Sequence, residues 1–314
     1  MKILRIEDVE LQKSNNARGG SGYEQYNIFT SENVGRDPYL LDNFRMNLSI
    51  IPEGGMATPR HRHDFSQYRY LLDGEADYSM GEIQTAGVLN LTVDGTYYGP
   101  TGKNFGATLV VQFGSVSGAG YLDRKDMAAG LALLKKRNEG YLENGLYYRN
   151  PGVDGPPVQD ANEAVFELIR GQQVEYPEPE YLHPIMIDSN ALVWVPIDGM
   201  PGVSEKHFGT FSSAKYRAAR YQIDPGATFR ASGRGVYFVL SGTGSVENQS
   251  FGKWTSTYLE DGEQATFVAA ETADILYLGL PTLSAILKTS VHPYGGEVDG
   301  RRDPWGSKLN VAAE

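Results

Sequence analysis

The stretch Gly55-Met-Ala-Thr-Pro-Arg-His61-Arg-His63-Asp-Phe-Ser-Gln67-Tyr-Arg69-Tyr-Leu-Leu-Asp-Gly74 sets two imidazoles two residues apart, just ahead of an apolar, strand-prone run. On a β-strand, residues i and i+2 project from the same face, so His61 and His63 are expected to point together. Gln67 follows four residues later, across a tight bend, where its side-chain oxygen offers a third donor. Two imidazoles and an oxygen suit Fe(II), Mn, Ni, Zn or Cu(II), and intrinsic affinities alone do not choose among these ions. The imidazoles must be neutral to bind, so affinity is expected to weaken as pH falls. Alternation from Gln67 also turns Arg69 inward, where it needs an anionic partner. That partner is either a substrate carboxylate, phenolate or enolate, or an acid on a neighbouring strand such as Asp94 or Glu75. Arg60 and Arg62 alternate away from the histidines and are expected at the surface.

Outside this stretch the chain reads as β-structure. Glycine is 37 of 314 residues, against a usual share of about 7%. The glycines punctuate short runs rich in Tyr, Val, Phe, Ile and Leu, namely Phe44–Ile51, Gln67–Leu72, Leu109–Phe113, Tyr216–Ile223, Val236–Leu240 and Ile275–Leu280. Short strands with frequent turn signals read as an all-β sandwich or barrel. Gln112, in the otherwise apolar Leu109–Phe113, marks either a pocket or a sheet edge. Two segments break the pattern. Residues 123–138 carry Met127, Leu131 and Leu134 at helical spacing with Lys135, Lys136 and Arg137 at the end, and residues 160–171 open with Asp160 and Glu163 as in a capping box. A Pro/Gly-rich loop, Asn150 to Pro157, lies between them.

The two halves repeat each other. Tyr70-Leu-Leu-Asp-Gly-Glu-Ala is echoed by Phe238-Val-Leu-Ser-Gly-Thr-Gly, and Ile51-Pro-Glu-Gly-Gly by Ile223-Asp-Pro-Gly-Ala. Gly87 to Tyr98 matches Gly262 to Ala273 at an offset of 175, with the extra length assigned to a hairpin near Glu247–Lys253. Repeats this long are duplicated domains. The expected organisation is an N-terminal barrel at 1–122, a helical connector at 123–175, a C-terminal barrel at 176–290 and an arm at 291–314.

The quoted stretch resembles the first motif of the cupin family, a Gly followed by His-x-His, a carboxylate and a further Gly. Val93-Asp-Gly95-Thr-Tyr-Tyr98 is similar to the second, roughly Pro-x-Gly-x-x-His. The resemblance spans about residues 40–115 and recurs in degenerate form at 205–285. It implies an all-β bicupin, two double-stranded β-helix (jelly-roll) barrels with short helices between them. It also implies a divalent metal held by His61, His63 and Gln67. Two departures matter: Gln67 stands in place of the usual carboxylate and Tyr98 in place of the usual final His. Tyr98 is then a ligand, an outer donor, a catalytic acid or base, or an aromatic at the barrel mouth. The second half has no His, Asp or Glu between 225 and 246, and Ala273 falls at the final His position, so the C-terminal barrel is expected to be chemically blank.

Composition narrows the function. Lys+Arg is 28 and Asp+Glu 39, giving a net charge of −11, which argues against nucleic acid or an anionic membrane as partner. With no cysteine, thiolate catalysis, disulfides and Cys-ligated metals are excluded. No signal peptide or membrane span is read, so the expected location is the cytoplasm. The tripeptides at Asn47, Asn90 and Asn248 have the glycosylation pattern, but two fall in strand-like runs. His183, His207 and His292 are read as structural or exposed. Gly99-Pro-Thr-Gly102-Lys103-Asn104 has the wrong spacing for a phosphate loop. The expectation is a metal-dependent enzyme on a small anionic organic molecule, with an Fe(II)-type dioxygenase leading and Tyr98 and Arg69 serving catalysis. Isomerase, lyase or hydrolase action on a sugar acid, or a non-catalytic small-molecule binder, are the alternatives, and a homodimer is expected.

Overall fold

Phe44-Arg-Met-Asn-Leu-Ser-Ile-Ile alternates large apolar with polar side chains, and this period decides both faces of the sheet it joins. A computed structural model of the chain describes residues 1–13, 23–35, 43–58, 60–77, 81–99, 101–102, 106–114, 122, 124–212 and 214–281. Two seven-stranded antiparallel sheets dominate. The first runs Ile185–Asp188, Val88–Thr92, Ser66–Asp73, Gly106–Phe113, Phe44–Ile51, Glu24–Phe29 and Leu11–Lys13. The second runs Lys2–Leu4, Ser256–Leu259, Gly235–Ser241, Ala273–Gly279, Tyr216–Ile223, Val203–Phe211 and Val195–Pro196. A four-stranded sheet accompanies each. In the first half it is Met56–Ala57, Thr101–Gly102, Glu75–Asp77 and Ile83–Thr85; in the second, Thr228–Ser232, Gln264–Ala269, Gly244–Val246 and Gln249–Phe251. The strand orders correspond position by position, so the molecule is the expected pair of all-β barrels.

The apolar face of the first large sheet carries Phe44, Met46, Leu48, Tyr68, Leu109, Val111 and Phe113. It packs on Tyr216, Phe238, Tyr258, Leu276 and Leu278 of the second in one continuous core. Phe44 meets Tyr258 at 4.6 Å between ring centroids, and Phe113 meets Tyr216 at 4.9 Å. The two barrels therefore bury large aromatic rings against each other, and the opposite face of each sheet is turned into its own barrel.

Two strands cross the boundaries expected from the sequence. Lys2–Leu4 pairs with Ser256–Tyr258 of the C-terminal barrel, and Ile185–Asp188 pairs with Val88–Leu91 of the N-terminal one. Each half thus lends its leading strand to the other. A polar node ties the exchange together: Arg220 is ion-paired with Asp274, donates to Tyr70 Oη at 3.3 Å, and donates to Ser189 Oγ at 2.8 Å.

The connector holds Arg124–Arg137 and Ala161–Arg170 as helices, near the expected bounds. Asp160 caps the second by accepting from the amides of Asn162 and Glu163. Only half of the capping box forms, because Glu163 accepts from Tyr176 Oη at 2.6 Å instead. The connector is not purely helical. Gly140–Glu143, Leu146–Arg149 and Val158–Asp160 make a three-stranded sheet, and the Pro/Gly-rich loop links its last two strands.

The repeat match at offset 175 is corrected. Gly106 pairs with Ile51 as Ala273 pairs with Ile223, so Ala273 opens the equivalent of Gly106–Phe113 and is not the counterpart of Tyr98. Gly87 and Gly262 both have positive φ and both precede a strand, but those strands lie in different sheets. The arm at 291–314, with His292, lies outside the described residues, as do Lys103 and Asn104. Among the described residues no helix is long and apolar enough to cross a membrane.

Candidate metal centre

His61 and His63 lie on an extended approach to the strand Ser66–Asp73, not on a strand as expected. Their common direction survives because the backbone there is pinned from both sides. His61 and Tyr98 exchange backbone hydrogen bonds of 2.8 and 2.9 Å, and the His63 carbonyl accepts from the Gly95 amide at 2.7 Å. Both rings are buried and their centroids are 4.9 Å apart at 79°. His63 stacks on Phe65 at 4.1 Å, and a 2.8 Å hydrogen bond joins its Nε2 to Tyr98 Oη. The Tyr98 ring lies 4.5 Å from that of His61.

Gly95 is the hinge of this arrangement. Its φ is +77°, and a Cβ there would stand 2.2 Å from the Pro177 carbonyl oxygen. The segment behind it is fixed by Thr96 Oγ1 donating to Tyr181 O at 2.8 Å, so it does not yield cheaply. Gly95→Ala is expected to destabilise the fold by roughly 1–3 kcal/mol, the range for a residue forced into strained backbone. By displacing His63 it should also weaken metal binding. A thermal melt and a metal titration at wild-type values would contradict this account of the turn.

The barrel wall facing these rings is polar, for the reason visible in Phe44–Ile51. Rows of side chains cross the sheet in register. Arg45, Gln112, Gln67 and Thr92 form one, and Asn47, Val110, Arg69 and Asn90 the next. Asn47, Gln67, Asn90, Thr92 and Gln112 are all buried. Asn47 Nδ2 donates to Gln25 Oε1 at 3.1 Å, and Gln112 Nε2 donates to Gln67 Oε1 at 3.2 Å. Gln67 Nε2, Asn47 Oδ1 and Asn90 Nδ2 are buried with no hydrogen-bond partner. Buried polar groups are normally satisfied, and a group of orphans on one wall marks a place where water or a ligand belongs.

The structure brings His61, His63 and Tyr98 into contact and turns Arg69 inward, its guanidinium carbon 5.7 Å from the Tyr98 ring centroid. Gln67 and Gln112 are on the same barrel's inner wall. Arg60 and Arg62 point outward, as expected. Arg60 lies over Tyr97 at 5.3 Å, and Arg62 lies over Tyr97 at 5.0 Å and Tyr176 at 4.2 Å. His207 is half-exposed beside Glu205. Asn47 and Asn90 were read only as sequons. The signal for their inner position was the alternation itself, which puts every second residue of Phe44–Ile51 and Val88–Thr92 on the wall.

In the second barrel the same wall is filled. Ala219, Tyr277, Tyr237 and Thr257 form the row equivalent to Asn47, Val110, Arg69 and Asn90. Tyr221, Phe229, Tyr237, Phe267 and Tyr277 pack there in an apolar core. The pair Ala231–Ala265 takes the place of His61–Tyr98, since Ala265 precedes Ala273 by the same interval as Tyr98 precedes Gly106.

No family model matches the chain, and no curated protein matches it. Solved structures do. Oxalate decarboxylase from Bacillus subtilis is 11% identical, over 90% of this chain and 77% of that one, with a TM-score of 0.52. Oxalate decarboxylase from Lactobacillus farciminis is 13% identical, over 89% and 86%, with a TM-score of 0.52. A candidate dioxygenase from Nostoc punctiforme is 10% identical, over 89% and 82%, with a TM-score of 0.54. The chain has the cupin architecture. More particularly, it has the bicupin fold.

Proposed function

We propose that the N-terminal barrel holds a divalent metal ion and acts on a small oxyanionic organic molecule, with Fe(II)-dependent dioxygenation as the reaction class. One observation carries this reading: two buried imidazoles, 4.9 Å apart, share a barrel with a polar wall on which Gln67 Nε2, Asn47 Oδ1 and Asn90 Nδ2 lack partners. Among the described residues no group of three His, Cys, Asp or Glu side chains forms a metal cluster. We take the oxygen donor to be Gln67 or Tyr98. Gln67 Oε1 spends one lone pair on Gln112 and keeps another, so the set fits an ion with few protein ligands. The Mn(II) centres reported for the Bacillus subtilis decarboxylase support a divalent ion in this fold.

When bound, the ion supplies Lewis acidity and, as Fe(II), access to O₂ chemistry. The chain's own residues do the rest. His61 and His63 offer neutral nitrogens. Tyr98 Oη is hydrogen-bonded to His63 Nε2; were His63 to hold the ion through that nitrogen, the Tyr98 hydroxyl would be left able to hold or deliver a proton toward the substrate. Arg69 offers fixed positive charge to an anionic substrate.

The test uses the full chain purified without chelator and loaded anaerobically with Fe(II). O₂ consumption with catechol- or hydroquinone-type compounds, dependent on both iron and His61, is expected. Stoichiometric metal with no O₂ uptake would end the dioxygenase reading and favour decarboxylation, the reaction named by the decarboxylase neighbours.

A further inference from the structure

The Gln67 amide is the open end of a directed relay. Arg45, Gln112 and Gln67 stand in register on three adjacent strands. Arg45 Nε donates to Gln112 Oε1, and Gln112 Nε2 donates to Gln67 Oε1 at 3.2 Å. A guanidinium has donors only, so the direction is set at the Arg45 end. Gln112 must turn its oxygen to Arg45 and its NH₂ to Gln67, and Gln67 must turn its oxygen back to Gln112. Gln67 Nε2 is then left buried, at 0% exposure, with no partner. One strand over, Thr92 Oγ1 donates to Asn90 Oδ1 at 2.9 Å, which leaves Asn90 Nδ2 equally buried and unpartnered. Gln67 lies opposite Thr92 and Asn90 opposite Arg69, so the two amides are diagonal neighbours on one wall with Arg69 beside both.

Two buried NH₂ groups with no acceptor, on a wall that also carries a guanidinium, match a ligand whose oxygen atoms carry negative charge. We infer that Gln67 Nε2, Asn90 Nδ2 and Arg69 form an oxyanion-binding site for a carboxylate or an enolate or phenolate, and that Arg45 and Gln112 are positioning residues that keep the Gln67 NH₂ facing the ligand. This deepens the proposed function by naming the recognised group. It rests on that reading for the place of the site, but not for its metal.

The relay can be reversed. In Gln112→Glu the side chain still accepts from Arg45 but has nothing to donate, so the Gln67 NH₂ turns to it and the Gln67 oxygen faces the ligand. Gln67→Glu replaces the donor by a charge of the wrong sign. Gln67→Met removes the donor without adding charge. Calorimetric titration of the full chain with oxalate and with catechol, as loaded with Mn(II) and after chelation, separates the carboxylate and phenolate sources. Binding of at least one at millimolar concentration or below is expected. Gln112→Glu and Gln67→Glu should weaken it by about tenfold or more, and Gln67→Met by less, with metal content unchanged in Gln112→Glu. Wild-type affinity in Gln112→Glu and Gln67→Met would overturn the proposal, as would no binding of either anion by the wild-type chain. Anion binding that follows the relay in a chain that takes up no metal would sink the metal reading and leave this one standing. Metal uptake with anion binding blind to these variants would do the reverse.

Discussion

His63→Ala lowers the affinity for Fe(II) or Mn(II) by more than about 100-fold, and His61→Ala does the same. Loss of an outer partner that merely orients a metal-bound imidazole costs roughly 10- to 100-fold, and loss of one of only two nitrogen donors must exceed that. The effect is separable from unfolding at His61. Alanine keeps the backbone hydrogen bonds that this residue exchanges with Tyr98 and gives up the ring contacts with His63 and Tyr98. Tyr98→Phe gives the contrast. It keeps the ring beside His61 and removes the hydroxyl that bonds His63 Nε2, so metal binding through the two histidines persists while any proton transfer by Tyr98 is lost. Affinity in the wild type falls with pH, since each imidazole must shed its proton to bind. Competition against a chromophoric chelator, with circular dichroism as a control for folding, measures all of this. Sub-stoichiometric metal that neither histidine substitution changes would falsify the centre.

The fold was legible because the decisive signals are local. Tyr216–Ile223 is a strand with the bounds its apolar run suggests, and Asp160 caps the helix that its position before Ala161–Arg170 implies. What escaped is non-local. Lys2–Leu4 and Ile185–Asp188 are three- and four-residue strands whose partners lie across the molecule, and nothing in such short segments says which edge they will cover. The match of Gly87–Tyr98 to Gly262–Ala273 failed because a glycine turn followed by alternation looks alike in any sheet, while register against Ile51 and Ile223 tells the strands apart. The site divides the same way. His61 and His63 were visible as a spacing, and Tyr98 through the resemblance of Val93–Tyr98 to a cupin motif. The relay from Arg45 to Gln67 was not, since it joins residues from three strands that only pairing brings into one row. Pro177 and Tyr181 at Gly95 and Thr96 were invisible too, because a connector's path over the barrel leaves no mark in its composition.

Tyr237→Ala destabilises the protein by about 3–5 kcal/mol, whereas Gln67→Met leaves stability within about 1 kcal/mol of wild type or raises it. Both residues face the inside of a barrel on equivalent strands, yet they do opposite work. Tyr237 is 1% exposed, packs 4.7 Å from the Tyr277 ring, and sends its hydroxyl to Ser232 O at 2.6 Å. Cutting it to a methyl opens a cavity that five aromatic rings cannot collapse to fill, and leaves the Ser232 carbonyl short of a partner. Gln67 makes one side-chain hydrogen bond and leaves Nε2 buried with none, so an apolar side chain of similar length removes that orphan and leaves Gln112 Nε2 without its acceptor in its place, a near-even exchange. Denaturant unfolding of the two variants measures the difference, and thermal midpoints should differ by roughly 5–10 °C. Equal losses in both would mean that the first lumen is as fully packed as the second and has no room for a ligand. The asymmetry has a physical reading in the duplication. Where Asn47, Arg69 and Asn90 line the first wall, Ala219, Tyr237 and Thr257 line the second. The second wall is closed by rings that add to stability, and the first keeps buried polar groups that cost stability until something with oxygens occupies the space between them.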